Sequence, residues 1–163
     1  MKSKHKSDYY RFARKDVAGF LPQDFRRVLE VGCAEGRFIE NLPDAQEYWG
    51  VEPNELAAAK AVKRLHKVLV GEYSDVAQNL PDRYFDLVIC NDSIEHMRDH
   101  DEFLRSVKRK MAPGGHLVGS VPNVRYVTNL FDLLVRRDWP YVDSGILDRT
   151  HLRFFTTKSL KRA

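Results

Sequence analysis

Apolar positions along this chain recur with two different periods, and the switches between them mark out its elements. Val28, Leu29 and Val31 form a short β-branched run that predicts a buried strand over residues 27–31. Phe38, Ile39 and Leu42 follow at helical spacing, with Pro43 ending the helix. Residues 48–51 read as a second strand, the alanine-rich stretch 54–65 as a helix, and 67–70 as a third strand. Residues 85–90 are almost continuously apolar, as a central parallel strand covered on both faces must be. Asp99, with Glu102 three residues on, opens a helix whose apolar face is Phe103, Leu104, Val107 and Met111, and Pro113-Gly114-Gly115 stops it. A fifth strand over 116–121 leads to a helix from Asn123 that carries Tyr126, Val127, Leu130, Phe131 and Leu134 on one side. Near the amino terminus Tyr10, Ala13, Val17 and Phe20 recur at helical spacing between a cap at Ser7 and a stop at Pro22. Residues 156–163 open a capped helix that runs for less than two turns, which is marginal.

Strands alternating with helices through short punctuated loops predict an α/β fold, a doubly wound and mainly parallel sheet with right-handed crossovers. The 163 residues suffice for one domain, read as a flexible basic tail over 1–7 and a single folded unit over 8–163. The formal charge of +4 suggests nucleic acid, but Lys2, Lys4 and Lys6 lie in the tail and the remainder carries only about +1. Arg105, Lys108, Arg109 and Lys110 then read as a solvated helix face, so no nucleic-acid partner is expected. No apolar run approaches the ~20 residues of a membrane span, and no apolar stretch follows the basic start as in a signal peptide. The two cysteines, Cys33 and Cys90, fall at strand positions and read as reduced and structural, which predicts a cytoplasmic protein; metal-ligand spacing is not found.

The candidate chemistry starts where the first strand ends. Glu30 precedes the small-residue turn Gly32-Cys33-Ala34-Glu35-Gly36, which lets the backbone approach a ligand closely, and the helix after it would present free N–H groups. The second strand runs into Glu52 and Pro53, and in a parallel βαβ unit that carboxylate stands beside the turn, placed to accept from a ribose diol. A dinucleotide fingerprint needs G-x-G-x-x-G, and Ala34 and Arg37 occupy its later glycine positions. NAD is therefore not expected.

Gly32-Cys33-Ala34-Glu35-Gly36 with Glu30 resembles motif I of the class I S-adenosylmethionine-dependent methyltransferases, which most often have glycine where Ala34 stands. Agreement continues in order along the chain. Gly71-Glu72-Tyr73 matches the turn set against the adenine, with Tyr73 offering its backbone N–H and its ring. Asn91-Asp92-Ser93-Ile94-Glu95-His96-Met97 resembles the segment that meets the cofactor ammonium, and differs from the Asn/Asp-Pro-Pro-aromatic motif of enzymes that methylate base amines. Asn123, His151 and Arg153 fall in segments similar to those of bacterial methyltransferases of small-molecule and surface-glycan synthesis. The resemblance implies S-adenosylmethionine as cofactor, sheet order 3-2-1-4-5, a small-molecule or glycan hydroxyl as acceptor, and Tyr9 and Tyr10 folding over the occupied pocket. A hydroxyl acceptor needs a proton taken from it, and His96 and His151 are the candidate bases. The family's last strands have no counterpart before Ala163, so the reading is a C-terminally truncated domain with an unpaired fifth strand, prone to dimerise; the alternative is a cofactor-binding module without turnover.

Overall fold

The computed structural model describes residues 14–163. Among these residues, β1 (Arg27–Val31), β2 (Glu47–Glu52), β3 (Lys67–Val70), β4 (Phe85–Asn91) and β5 (Met111–Ser120) form one sheet in the order β3-β2-β1-β4-β5. Every neighbouring pair is parallel, with Leu29 of β1 between Trp49 of β2 and Val88 of β4. The helices are α1 (Lys15–Ala18), α2 (Glu55–Ala61), α3 (Tyr73–Val76), α4 (His100–Lys110), α5 (Val127–Phe131) and α6 (Thr157–Leu160).

Successive residues of the central strands go to opposite faces. Leu29 and Val88 join Tyr73 of α3 with Phe103 and Val107 of α4, whereas Val28 and Leu87 join Phe38, Leu42 and Ala61 of α2. A strand covered on both sides needs apolar residues at every position, and this is why β4 carries so little polarity. The parallel, doubly wound sheet and its order are those expected from the sequence. No helix among the described residues is long and apolar enough to cross a membrane.

Local caps also follow the sequence. The Asp99 carboxylate accepts from the Glu102 N–H at 2.8 Å to start α4, and the Asn54 side chain accepts from the Ala57 N–H at 3.0 Å to start α2. Three elements differ from expectation. After Gly36 the chain winds as a 3-10 helix over Arg37–Asn41, because Pro43 leaves too few residues to build α-helical turns. β5 begins at Met111 rather than at residue 116, since Met111 pairs with Phe85 and the Pro113-Gly114-Gly115 segment is absorbed as an irregularity before Leu87 pairs with His116. The third is α5 and the π-helical turn Asp132–Arg136 after it: Tyr126, Val127, Phe131 and Leu134 face solvent, and the buried member is Asn129.

The last segment is better packed than its sequence suggested. Leu147 and Phe155 are buried, Asn123 bridges to Phe155, and the Leu152 and Arg153 N–H groups donate to the Glu95 carbonyl at 2.8 and 3.2 Å. This return of the chain over the end of β4 matters for the site.

Candidate active site

In an all-parallel sheet the carboxyl ends of the strands share one edge, and the candidate residues cluster there. The Gly32 and Cys33 N–H groups donate to the Val51 carbonyl at 2.8 and 3.1 Å, which ties the turn after β1 to the end of β2. Gly32 has φ +79°, and a Cβ there would meet Ser93 Cβ at 3.2 Å, so the absent side chain lets the β1 and β4 turns approach. Ala34 also lies in the left-handed region, at φ +49°, where a Cβ costs about 1–2 kcal/mol. Cys33 is buried behind the turn, and burial pushes its thiol up, which leaves it inert and structural.

Glu52 is buried at the end of β2 and accepts from two backbone groups, the Ala34 N–H of the β1 turn at 2.8 Å and the Asn54 N–H just past the exposed Pro53 at 2.9 Å. Burial raises its carboxyl, opposed by those two bonds. Glu35, which the sequence reading did not single out, is a positioning residue: the Lys60 ammonium donates to its carboxylate at 2.7 Å and the Arg64 guanidinium to its carbonyl at 2.9 Å, which pins the turn to α2 and the loop behind it. The short 3-10 helix that follows is too brief to supply the helix-end N–H groups expected from the sequence.

Glu30 is buried and accepts from the Tyr48 hydroxyl at 2.8 Å. Burial pushes its carboxyl to about 8, with the Tyr48 bond opposing the rise. The folded chain therefore holds a proton that the unfolded chain gives up at ordinary carboxylate pH. Stability from this group is complete below the unfolded value and is lost as pH rises through about 8. Glu30→Gln keeps an acceptor for Tyr48 and cannot ionise, so relative to the parent it should gain stability on going from about pH 5.5 to about pH 8.5. Urea unfolding at both pH values checks this; a constant difference would place the ionised carboxylate in the fold.

At the end of β3, Glu72 is exposed, whereas Tyr73 is 4% exposed, shares a 3.1 Å hydrogen bond with the Ser106 hydroxyl and meets the Phe103 ring edge-on at 4.9 Å. The Tyr73 ring is thus core, correcting the expectation that it faces a ligand; only its backbone N–H remains for that purpose. At the end of β4 the Asn91 side-chain amide is buried at both its nitrogen and its oxygen without a hydrogen-bond partner. Asp92, at φ +46°, is paired with Arg14 and accepts from the Ser120 hydroxyl at 2.8 Å, so its carboxylate is already engaged.

His96 and His151 are brought together, with ring centroids 4.8 Å apart. His96 Nδ1 lies 3.2 Å from the Thr150 carbonyl, His151 Nδ1 lies 2.9 Å from the Ile146 carbonyl, and His151 Nε2 stands 3.9 Å from Glu95 Oε1. Burial raises the Glu95 carboxyl to about 8 and lowers His96. Asn123 Oδ1 caps its own loop by accepting from the Arg125 N–H, and the Arg153 guanidinium donates to the Arg98 and Leu152 carbonyls. Tyr9 and Tyr10 lie outside the described residues.

The methyltransferase-domain family matches residues 5–163. The chain belongs to that family. The methyltransferase domain is of the class I, S-adenosylmethionine-dependent type, and curated relatives carry the same chemistry in their names. It is 32% identical over 117 residues to a ubiquinone biosynthesis O-methyltransferase of Alkalilimnicola ehrlichii, a match covering 67% of this chain and 47% of that one. It is 31% identical over 110 residues to a 27-O-demethylrifamycin SV methyltransferase of Amycolatopsis mediterranei, covering 62% of this chain and 40% of that one. The chain thus spans less than half the length of either relative. In fold it is similar to a SAM-dependent methyltransferase of Archaeoglobus fulgidus, with TM-score 0.71 and 23% identity over 99% of this chain and 72% of that one.

The residues present fit the family's cofactor on structural grounds. A buried carboxylate at the end of β2, a turn kept open at Gly32 and a buried amide at Asn91 without a partner form a polar seat along one sheet edge.

Proposed function

We propose that this methyltransferase domain binds S-adenosylmethionine across the ends of β1, β2 and β4 and methylates a hydroxyl of a small-molecule or glycan acceptor. The observation that carries the reading is the buried Glu52 carboxylate, held by the Ala34 and Asn54 N–H groups and aimed along the edge where a ribose diol would donate. Gly32, Cys33, Ala34 and Gly36 bring backbone close to the cofactor, with Glu30 supporting from beneath. The Pro53 ring edges the ribose, Glu72 and the Tyr73 N–H border the adenine, and Asn91 and the Asp92 backbone meet the amino-acid end. When bound, the cofactor supplies a methyl carbon on a sulfonium, already joined to a good leaving group. The chain's own work is then to position the acceptor, exclude water and manage its proton.

His96 and His151 stand where that proton must be handled, and Asn123 and Arg153 flank the acceptor side. The oxygen-directed names of both relatives support a hydroxyl acceptor, and the absence of the base-amine motif after β4 disfavours nucleic acid. Calorimetry with S-adenosylhomocysteine and transfer of labelled methyl to a panel of phenols and sugars tests the reading. Binding with product on at least one panel member is expected. Binding without product across the panel would leave a cofactor-binding module, and no binding would remove the reading altogether.

A further inference from the structure

Glu95 is the most deeply buried carboxylate among the described residues, and nothing in the proposed cofactor seat uses it. Its residue is 0% exposed, yet neither carboxylate oxygen has a hydrogen-bond partner. A buried carboxyl without a hydrogen-bond partner is costly whether neutral or ionised. What does face it is a pair of imidazoles. One ligand atom from each of Glu95, His96 and His151 lies within 4.8 Å of the others.

The orientation of the rings is the second observation. Each Nδ1 points at a backbone carbonyl, Thr150 for His96 and Ile146 for His151, and a carbonyl accepts only from an N–H. Both rings therefore carry their proton on Nδ1 and leave an Nε2 lone pair. This is the arrangement that fixes tautomer and direction in metal-bound histidines. The His151 Nε2 lone pair then stands 3.9 Å from Glu95 Oε1. That separation is too long for a hydrogen bond and suits two ligands of one ion.

We propose that Glu95, His96 and His151 bind one divalent transition-metal ion of the zinc or manganese class. Three ligand atoms at about 2.0–2.2 Å from a common ion, with a fourth position open, lie about 3.3–3.8 Å apart, so a spread of up to 4.8 Å draws in by about an ångström when the ion binds. Two imidazoles and one carboxylate favour such ions over magnesium or calcium, which take oxygen sets, and three protein ligands leave a coordination position open. The loop carrying His151 is held to Glu95 by the Leu152 and Arg153 N–H bonds, so the third ligand is fixed by the fold rather than by local spacing.

On the proposed hydroxyl chemistry, on which this last step rests, the open position takes the acceptor oxygen. Its O–H bond breaks, the proton passes to solvent water, and the oxygen keeps the electron pair and its bond to the ion. The metal then does for the acceptor what a free imidazole base would otherwise do.

The test is calorimetric titration of the chelator-treated chain with zinc chloride and with manganese chloride, beside the visible spectrum after cobalt(II) is added. One equivalent per chain is expected for the parent, with affinity lowered about tenfold or more in Glu95→Gln, His96→Ala and His151→Ala. A cobalt spectrum altered in each variant would identify the ligands even where affinity is only modestly reduced. No uptake by the parent, or uptake unchanged in all three variants, overturns the site. Binding of S-adenosylhomocysteine in the same chelator-treated sample separates this outcome from failure of the cofactor reading, because the cofactor seat uses none of the three ligands.

Discussion

Glu52→Ala is expected to weaken binding of S-adenosylhomocysteine by about 30-fold, near 2 kcal/mol, because two hydrogen bonds to a charged acceptor are lost together. The parent carboxylate is already set in place by the Ala34 and Asn54 N–H groups, so little ordering accompanies binding. Truncation also leaves those two N–H groups unpaired, and part of the loss would then come from a loosened turn. A ligand lacking the ribose hydroxyls separates the two effects. Toward a 2′,3′-dideoxy analogue the parent and Glu52→Ala should bind alike if the diol is the carboxylate's partner. Unchanged affinity for S-adenosylhomocysteine itself would remove Glu52 from the seat.

What the sequence shows of this fold depends on how local each determinant is. β1 and β3 have the expected bounds because apolar runs there are punctuated on both sides, and the starts of α2 and α4 are legible because Asn54 and Asp99 cap within three residues. The 3-10 helix after Gly36 is not legible, since a run of five residues is too short for its apolar positions to distinguish a period of 3.0 from one of 3.6. Tyr73 shows the same limit for a site. A tyrosine after a strand-ending turn can face a ligand or the core, and Ser106 and Phe103 on α4 decide for the core.

The cluster at Glu95 is the extreme case. His96 is its neighbour, but His151 lies 56 residues after Glu95, on a loop held where the Glu95 carbonyl accepts from Leu152 and Arg153 and where Phe155 is buried. No spacing rule joins such residues, and the sequence reading accordingly found no metal ligands. The helical period of Tyr126, Val127, Phe131 and Leu134 is likewise visible in the sequence, but whether that stripe turns inward is not; here it faces solvent.

Gly36→Ala is expected to destabilise the chain by about 3 kcal/mol, from two additive sources that a single methyl group brings in. Gly36 has φ +72°, where an L side chain costs about 1–2 kcal/mol. The added Cβ would also meet Leu65 Cγ at 3.0 Å and the Ala61 backbone Cα at 3.2 Å. Leu65 can turn aside, but Ala61 is fully buried in α2 and its Cα moves only with the helix, so overpacking adds about 1–3 kcal/mol. The neighbouring left-handed residue provides the contrast. Ala34 already bears a Cβ at φ +49°, so Ala34→Gly relieves backbone strain at the same turn without crowding α2. Denaturant unfolding of the two variants should move in opposite directions from the parent. Equal and small effects would mean that the turn after β1 adjusts its backbone freely, and a seat built on its fixed N–H directions would lose its basis.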